Sequence, residues 1–218
     1  MSRSIAAVAA ALTFGGVAVA QQPPAEEHVR GDVASVSGDS VEVKTRSGET
    51  AKFSLTDKTK VSVATKADLG RIDKNAYIGT TAVPQPDGSL RAVEIHIFAE
   101  PMRGSGEGHR PWDLQAGSTM TNATVSGMDK SGGSQSTMTN ATVKDVAKGG
   151  GGMKLALRYK DGEKTVVVPA GIPVVQLEPA DRSRLTPGAH VFAAVKRGED
   201  GARVADRIFV GKDVVPPM

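Results

Sequence analysis

Short segments of alternating apolar and polar residues, separated by turns that contain Gly or Asp, cover most of the chain. Val41 and Val43, for example, alternate with polar residues between the turns Ser37–Asp39 and Arg46–Gly48. A period of two is typical of half-buried β-strands, whereas Lys66–Ile72 breaks this period and has the spacing of a short helix. The pattern therefore predicts three strands, a short helix and then two more strands.

The same pattern occurs twice. Shifted back by 113 positions, the segment Val174–Val210 matches Val61–Ile97 without a gap. The matched positions hold apolar residues or turn residues, such as Asp200-Gly201 on Asp87-Gly88. Copies of one fold must share residues of these two kinds, because they set the core and the chain reversals. The repeat therefore predicts two copies of one small β domain.

Three strands, a helix and two strands is the order of an OB-fold, a five-stranded Greek-key barrel. The helix would cover one open end of each barrel. We therefore predict an all-β protein made of two tandem small OB-like five-stranded barrels, each with a short helix between strands three and four. The domains would span residues 28–99 and 136–213, with a linker at 100–117. A flatter meander or sandwich of the same strands is the alternative.

The repeat also matches Asp181 to Asp68 and Arg184 to Arg71. A catalytic acid would not need to occur once in each copy. We interpret the two Asp residues as helix N-caps, and the two Arg residues as their partners one turn later.

One octapeptide, Ser-Thr-Met-Thr-Asn-Ala-Thr-Val, occurs at Ser118–Val125 and again at Ser136–Val143. Its spacing predicts that the second copy is the first strand of the second domain. Residues 118–135 would then be a duplicated-strand insert that holds a surplus strand. Because an exposed strand edge carries unpaired backbone groups, the insert predicts self-association through Ser118–Val125.

The N-terminus has the features of a secretory signal peptide. Arg3 precedes the apolar run Ile5–Val19, and small residues surround a cleavage site after Ala20. The run is shorter than the ~20 residues of a membrane-spanning helix, so we expect cleavage rather than a membrane anchor. A disordered leader at 21–27 and a tail at 214–218 complete the expected organisation. We therefore predict a periplasmic or secreted protein that does not span a membrane.

Composition narrows the classes of function. The chain has no cysteine, which excludes disulfides and a cysteine nucleophile, and its net charge is only +3. Aromatic residues make up 4% of the chain. Proteins that bind single-stranded nucleic acid line a basic groove with stacking aromatic residues, so we expect no nucleic-acid partner.

Candidate catalytic and metal-binding residues are sparse. The four histidines, His28, His96, His109 and His190, are too far apart in the sequence to form a metal-ligand motif. The sequence also lacks a nucleophile elbow and a phosphate-binding loop. We therefore expect no metal, no cofactor and no enzymatic activity. Several methionines leave a periplasmic metal-handling accessory protein as an alternative, because thioethers suit Cu(I).

The linker carries the single Trp of the chain. In one interpretation, Trp112 anchors the linker on a barrel, with Arg110 and Asp113 paired nearby. In the other, His109, Arg110, Trp112 and Asp113 line a groove between the domains that receives a ligand, because pockets favour domain junctions. A hydrolase that uses His109 or Asp113 is a further alternative.

The segment Gly108–Leu114, the octapeptide and Pro179–Ser183 resemble a family of small secreted bacterial proteins with OB-like β domains. Members are often labelled "metal ABC transporter permease". A permease needs several spanning helices, and this sequence has none. The resemblance implies secretion but no activity. We therefore predict a non-catalytic periplasmic or secreted binding or interaction module, whose partner is an unidentified envelope ligand or protein.

Overall fold

The structure is a computed structural model that describes residues 26–130, 152–198, 200–211 and 213–216. In these ranges the protein is all-β, as predicted, with thirteen strands and three 3-10 turns. The strands are β1 (Glu27–Ser37), β2 (Ser40–Thr45), β3 (Thr50–Ser54), β4 (Lys60–Lys66), β5 (Tyr77–Pro84), β6 (Leu90–Phe98), β7 (Gly108–Pro111), β8 (Thr119–Lys130), β9 (Met153–Tyr159), β10 (Gly162–Val168), β11 (Val174–Pro179), β12 (His190–Arg197) and β13 (Arg203–Gly211). The 3-10 turns are Leu69–Arg71, Glu100–Met102 and Arg182–Arg184.

Five strands close into a β-barrel, called ring 1 below. β1 pairs with β2, β2 with β3, β3 with β13, β13 with β12, and β12 with β1. The contact between β3 and β13 is parallel and joins Ser54 to Val204, whereas the other contacts are antiparallel. Because alternate side chains of each strand point inward, they form one buried cluster that includes Val41, Phe53 and Ile208.

A second set of strands, called ring 2 below, pairs in the same cyclic order. It runs from β8 through β9, β10, β6 and β5 back to β8. Its single parallel contact lies between β10 and β6, at the position that corresponds to β3 and β13 in ring 1. A second buried cluster fills its interior and includes Ile78, Leu155 and Val166.

Each ring takes strands from both copies of the repeat. Ring 1 combines β1–β3 with the hairpin β12–β13, and ring 2 combines β8–β10 with the hairpin β5–β6. β4 and β11 pair with each other in antiparallel fashion and connect the two rings. The prediction of two tandem barrels, each folded from one contiguous segment, is therefore not confirmed.

The repeat could not reveal this exchange because the two hairpins are equivalent. β12 and β13 have the same lengths as β5 and β6 and lie 113 positions later. Either hairpin would bury the same kinds of residues in either ring. The exchanged arrangement also packs the outer faces of both hairpins into a third buried cluster between the rings, which includes Tyr77, Phe98, Phe192 and Phe209.

The two predicted short helices are single 3-10 turns, which corrects this part of the prediction. Gly70 lowers the helix propensity of the first turn, and Pro187 prevents continuation of the second. The Asp68 side chain caps the first turn by accepting a hydrogen bond from the Gly70 N–H at 2.8 Å. Asp181 stands at the matching N-cap but makes no side-chain cap hydrogen bond, so the capping interpretation is wrong for the second copy. Ile72 and Leu185, which follow the turns, are buried in ring 2 and ring 1 respectively. Each turn therefore lies in the same ring as the hairpin that follows it.

The octapeptide copy Ser118–Val125 is not a surplus strand, because it forms the first part of β8 in ring 2. One edge of this part pairs with β5 and the other with β7, and the later part of β8 pairs with β9. Both edges of this part of β8 are thus paired within the chain, so the expected free edge is absent, while self-association itself stays a prediction. Spacing could not decide which of two identical octapeptides enters the ring. The second copy, Ser136–Val143, lies outside the described residues.

The predicted signal peptide at 1–20 and residues 21–25 of the predicted leader also lie outside the described residues. Glu26 accepts a hydrogen bond from Arg207 and Glu27 begins β1, so these two residues belong to the fold and not to the predicted leader. At the other end, Val214 packs against the third cluster and Pro216 is buried. None of the helical segments in the described ranges could cross a membrane.

Candidate functional site

The linker between β6 and β8, residues 99–118 and called the strap below, contacts both rings. Its first half lies on ring 2, where the Tyr77 hydroxyl donates to the Ser105 carbonyl at 3.2 Å. The Arg103 guanidinium lies 5.9 Å from the centre of the Tyr77 ring and donates to the Asn75 carbonyl. The strap then pairs with β8 of ring 2 through β7 (Gly108–Pro111) and reaches ring 1 only from Trp112 onward. The strap therefore crosses the junction between the rings.

His109 lies on the ring 2 side of the strap. Its Nδ1 is 2.8 Å from the Thr121 hydroxyl, and its ring stacks on Tyr159 with the centroids 6.3 Å apart. Burial lowers the pKa of His109 below its usual value, and the positive charges of Lys164 and Arg110 add to this effect. The imidazole is therefore neutral near pH 7 and serves as a packing and hydrogen-bonding group.

Trp112 and Asp113 bind the strap to β1. The Trp112 ring lies 4.2 Å from the His28 ring and 6.1 Å from the Phe192 ring, measured between centroids. Asp113 accepts hydrogen bonds from His28 at 2.8 Å and from both terminal nitrogens of Arg30 at 2.7 and 3.1 Å. Trp112 thus packs on ring 1 as an anchor would, but Asp113 pairs with Arg30 and His28 rather than with Arg110, the partner expected from the sequence.

The carboxylate of Asp113 is held in its charged form. Its partial burial alone would raise its pKa, but the hydrogen bonds from Arg30 and His28 outweigh burial and lower the pKa to about 2. Arg110, by contrast, stacks on Trp112 at 5.3 Å and has its pKa lowered, mainly by burial. Three of the four predicted residues thus lie together beside β1, while His109 lies apart on ring 2.

A buried polar cluster beneath the strap was missed at the sequence level. The His96 Nε2 lies 3.3 Å from a carboxylate oxygen of Glu94, and the Thr81 hydroxyl donates to that oxygen at 2.6 Å. Glu94 and His96 are 4% and 0% exposed. Both alternate along β6 with inward-facing Ile residues, so the pattern indicated an exposed outer face. Long-range packing on this outer face, which local alternation does not reveal, buries them.

An open depression lies at the end of ring 1, where the turn Arg182–Arg184 leads into β12. Its volume is about 560 Å³. The lining residues include Ser183, Arg184, Gly188, His190, Gly211 and Asp213. A second depression of about 300 Å³ lies on the other side of His190 and is lined by Asp32, Lys44 and Arg46 among others. The Nδ1 of His190 donates to the Asp32 carboxylate across this boundary, so the two depressions share one side chain.

The equivalent end of ring 2 is filled. The repeat matches His190 to Tyr77 and Gly211 to Phe98, and these two aromatic rings pack with centroids 5.3 Å apart. Tyr77 is 3% exposed, and its burial raises its pKa to about 12. Arg103 of the strap covers the Asn75 carbonyl, and Asn75 matches Gly188. One copy of the fold therefore closes this end with large side chains, and the other leaves it open.

Within the described ranges, no three His, Asp or Glu side chains converge as metal ligands would. Comparisons of the chain with protein-family profiles, with curated proteins and with solved structures found no match.

Proposed function

We propose that this protein is an exported, non-catalytic binding protein and that the depression around His190 is its ligand site. The strand order of each ring, with a single turn between the third and fourth strands, supports an OB-like fold for both rings. A fold of this kind hosts many functions, so the proposal rests on the site.

The contrast between the two ring ends carries the proposal. Duplication supplied the same backbone twice, and Tyr77 with Phe98 shows that large side chains can close this end. In ring 1 the matched residues are His190 and Gly211, which leave about 560 Å³ open. A volume of this size accommodates a small ligand.

The lining favours a small polar ligand that carries an anionic group. Arg184, Lys44 and Arg46 line the two depressions, and none of them has an ion-pair partner among the described residues. Of the two carboxylates in the lining, Asp32 is already bonded to His190. Arg and Lys side chains with free N–H donors bind carboxylate or phosphate oxygens through charge-assisted hydrogen bonds.

Isothermal titration of the mature protein with inorganic phosphate, citrate and glucuronate tests this assignment. We expect Arg184→Gln to weaken binding roughly tenfold or more, because a hydrogen bond to a charged group contributes about 1.5–3 kcal/mol. Arg71→Gln is the matched control, since Arg71 holds the equivalent position in ring 2. We expect His190→Tyr, which introduces the side chain of Tyr77, to fill the site and abolish binding without lowering stability.

The proposal fails if none of the three anions binds to the unsubstituted protein. It also fails if Arg71→Gln weakens binding as much as Arg184→Gln, because the open ring end would then have no special role.

The exported location is tested separately, by N-terminal sequencing of the protein recovered outside the cytoplasm. We expect Gln21 as the first residue. A first residue upstream of Ile5 would overturn cleavage of the apolar run.

A further inference from the structure

Four buried polar atoms lack a hydrogen-bond partner in the described part of the molecule. They are Nδ1 and Nε2 of His96, Nε1 of Trp112 and Oδ1 of Asn122. Of these, Nε2 of His96 has a charged neighbour, the Glu94 carboxylate at 3.3 Å, without the geometry of a hydrogen bond. Buried polar groups are almost always paired, because an unpaired one loses its bonds to water without replacement. Their concentration in one region of a small protein therefore needs a physical explanation.

All four atoms belong to the strap or to the sheet face next to it. Asn122 lies directly under the strap, since its Nδ2 donates to the Ser105 carbonyl at 3.1 Å. Its Oδ1 and the Nδ1 of His96 converge beside Gly79, at 2.6 and 3.2 Å from the position that a Cβ would take there. Trp112 is part of the strap itself. Unused hydrogen-bonding capacity therefore lies on the sheet face beside Gly79 and, separately, on Trp112, whose ring packs on His28 and Phe192.

The strap has the features of a segment that can be displaced. Gly104, Gly106, Gly108 and Gly117 all have left-handed backbone conformations, with φ of 83°, 59°, 130° and 72°. These glycines lie on both sides of Trp112, where they allow large changes of direction. Met102 and Trp112 of the strap pack against the third cluster, and both are partly exposed. The other main attachments of the strap are polar: the backbone pairing of β7 with β8, and the hydrogen bonds of Asp113 with His28 and Arg30.

We propose that the face beneath the strap is a second binding site, distinct from the depression around His190, and that it takes a neutral carbohydrate when the strap is displaced. A sugar ring has hydroxyls that both donate and accept, so it can pair with an indole N–H, an amide oxygen and an imidazole at once. Its apolar face suits the rings of Trp112, Tyr77 and Phe192, which border the junction.

The charges at this face disfavour other ligands. The buried carboxylate of Glu94 beside His96 would repel an anion. Arg110, on the strap above the sheet, would repel a cation. A neutral ligand with many hydroxyls avoids both costs.

Fluorescence of the full chain tests the site, because Trp112 is its single Trp. The probes are maltotriose, cellotriose and N,N′,N″-triacetylchitotriose, each titrated to millimolar concentration. We expect one of them to give a saturable change in Trp112 emission and to increase quenching of Trp112 by acrylamide. No change with any of the three overturns the proposal.

A disulfide staple separates displacement of the strap from binding elsewhere. Pro111 and Thr119 are directly opposite each other on β7 and β8, and the chain has no native cysteine to interfere. In Pro111→Cys/Thr119→Cys, we expect the reduced protein to bind the trisaccharide and the oxidised protein to lose binding. Equal binding by both forms contradicts the proposal.

A substitution in the sheet gives a second readout. His96→Phe introduces the residue that the repeat places at the equivalent position, Phe209. We expect it to keep the folded structure and to weaken trisaccharide binding roughly tenfold, while Arg184→Gln leaves this binding unchanged. Unchanged binding in His96→Phe would remove His96 from the site. Loss of binding in Arg184→Gln would assign the sugar to the depression around His190 instead.

Discussion

The two rings have the same strand order but differ in what lies on their outer surfaces. Inside, both are filled by aliphatic side chains at matched positions, such as Ile95 and Ile208. Outside, ring 2 carries the strap over Tyr77, Phe98 and a polar cluster, whereas the matched end of ring 1 is open around His190. Duplication thus preserved the residues that close the rings and changed those that face outward. Candidate sites should therefore be sought where matched positions differ.

The largest expected effect tests which hairpin serves which ring. Leu185 is buried with β1–β3 and Ile72 with β8–β10. We expect Leu185→Ala and Ile72→Ala each to lower the free energy of unfolding by about 2–5 kcal/mol, as for other buried aliphatic residues. Urea denaturation measures the loss of free energy of unfolding, and amide hydrogen exchange identifies the strands that lose protection.

The two variants are each other's control. Leu185→Ala should lower protection from exchange in β2 and β3, and Ile72→Ala in β9 and β10. If Leu185→Ala instead lowers protection in β9 and β10, and Ile72→Ala in β2 and β3, then each copy closes its own ring. That result would contradict the assignment of hairpins to rings.

An effect of intermediate size on stability is expected on the outer face of ring 2, at Gly79. The repeat matches Gly79 to Phe192, yet a Cβ at Gly79 would lie 2.6 Å from Asn122 Oδ1 and 3.1 Å from the Phe98 ring. We therefore expect Gly79→Ala to cost about 1–3 kcal/mol by overpacking. Gly127→Ala is the control, because its Cβ would meet only the Cβ of Ala156 at 3.4 Å. Equal stability of the two variants in urea would mean that the side chains packed over Gly79 can move aside for a Cβ.

The smallest expected effect concerns the attachment of the strap to ring 1. The pKa of Asp113 is lowered to about 2 in the folded protein, so its contribution to stability is fully present above about pH 4 and is lost as the pH falls toward 2. The side chain is 52% exposed, so solvent screening limits this contribution to about 1 kcal/mol or less.

Urea midpoints between pH 6 and pH 2 measure this contribution. We expect Asp113→Asn to be less stable than the unsubstituted protein at pH 6, with the difference shrinking toward pH 2. Asp129→Asn, an exposed control, should match the unsubstituted protein throughout. A difference for Asp113→Asn that stays constant with pH would show that the charge of Asp113 is not what holds the strap.

The all-β class, the turns and the buried residues could be predicted from the sequence, because alternation and turn chemistry are local signals. The segments after β4 and β11 show what these local signals predict and what they do not. Burial of Ile72 and Leu185 followed from spacing, but the ring that receives each of them did not. Two equivalent hairpins satisfy the same local pattern, and only long-range packing distinguishes them.

The candidate sites were predictable only in part. The single Trp in a Gly-rich linker identified Trp112 and Asp113, and the structure shows how both contact β1. His96 was missed because its burial depends on long-range packing of the outer face of β6, which the sequence of β6 alone does not indicate. The open ring end could have been found by aligning the copies and asking where large residues become small, as Phe98 becomes Gly211.

Nuclear Overhauser effects between backbone protons test the exchange of hairpins most directly. In the structure, Val29–Asp32 of β1 lie opposite His190–Ala193 of β12. Cross-peaks between these two segments are the expected result. Cross-peaks that instead join Val29–Asp32 to Tyr77–Thr80 of β5 would show that each copy closes its own barrel, and would contradict the interlaced fold.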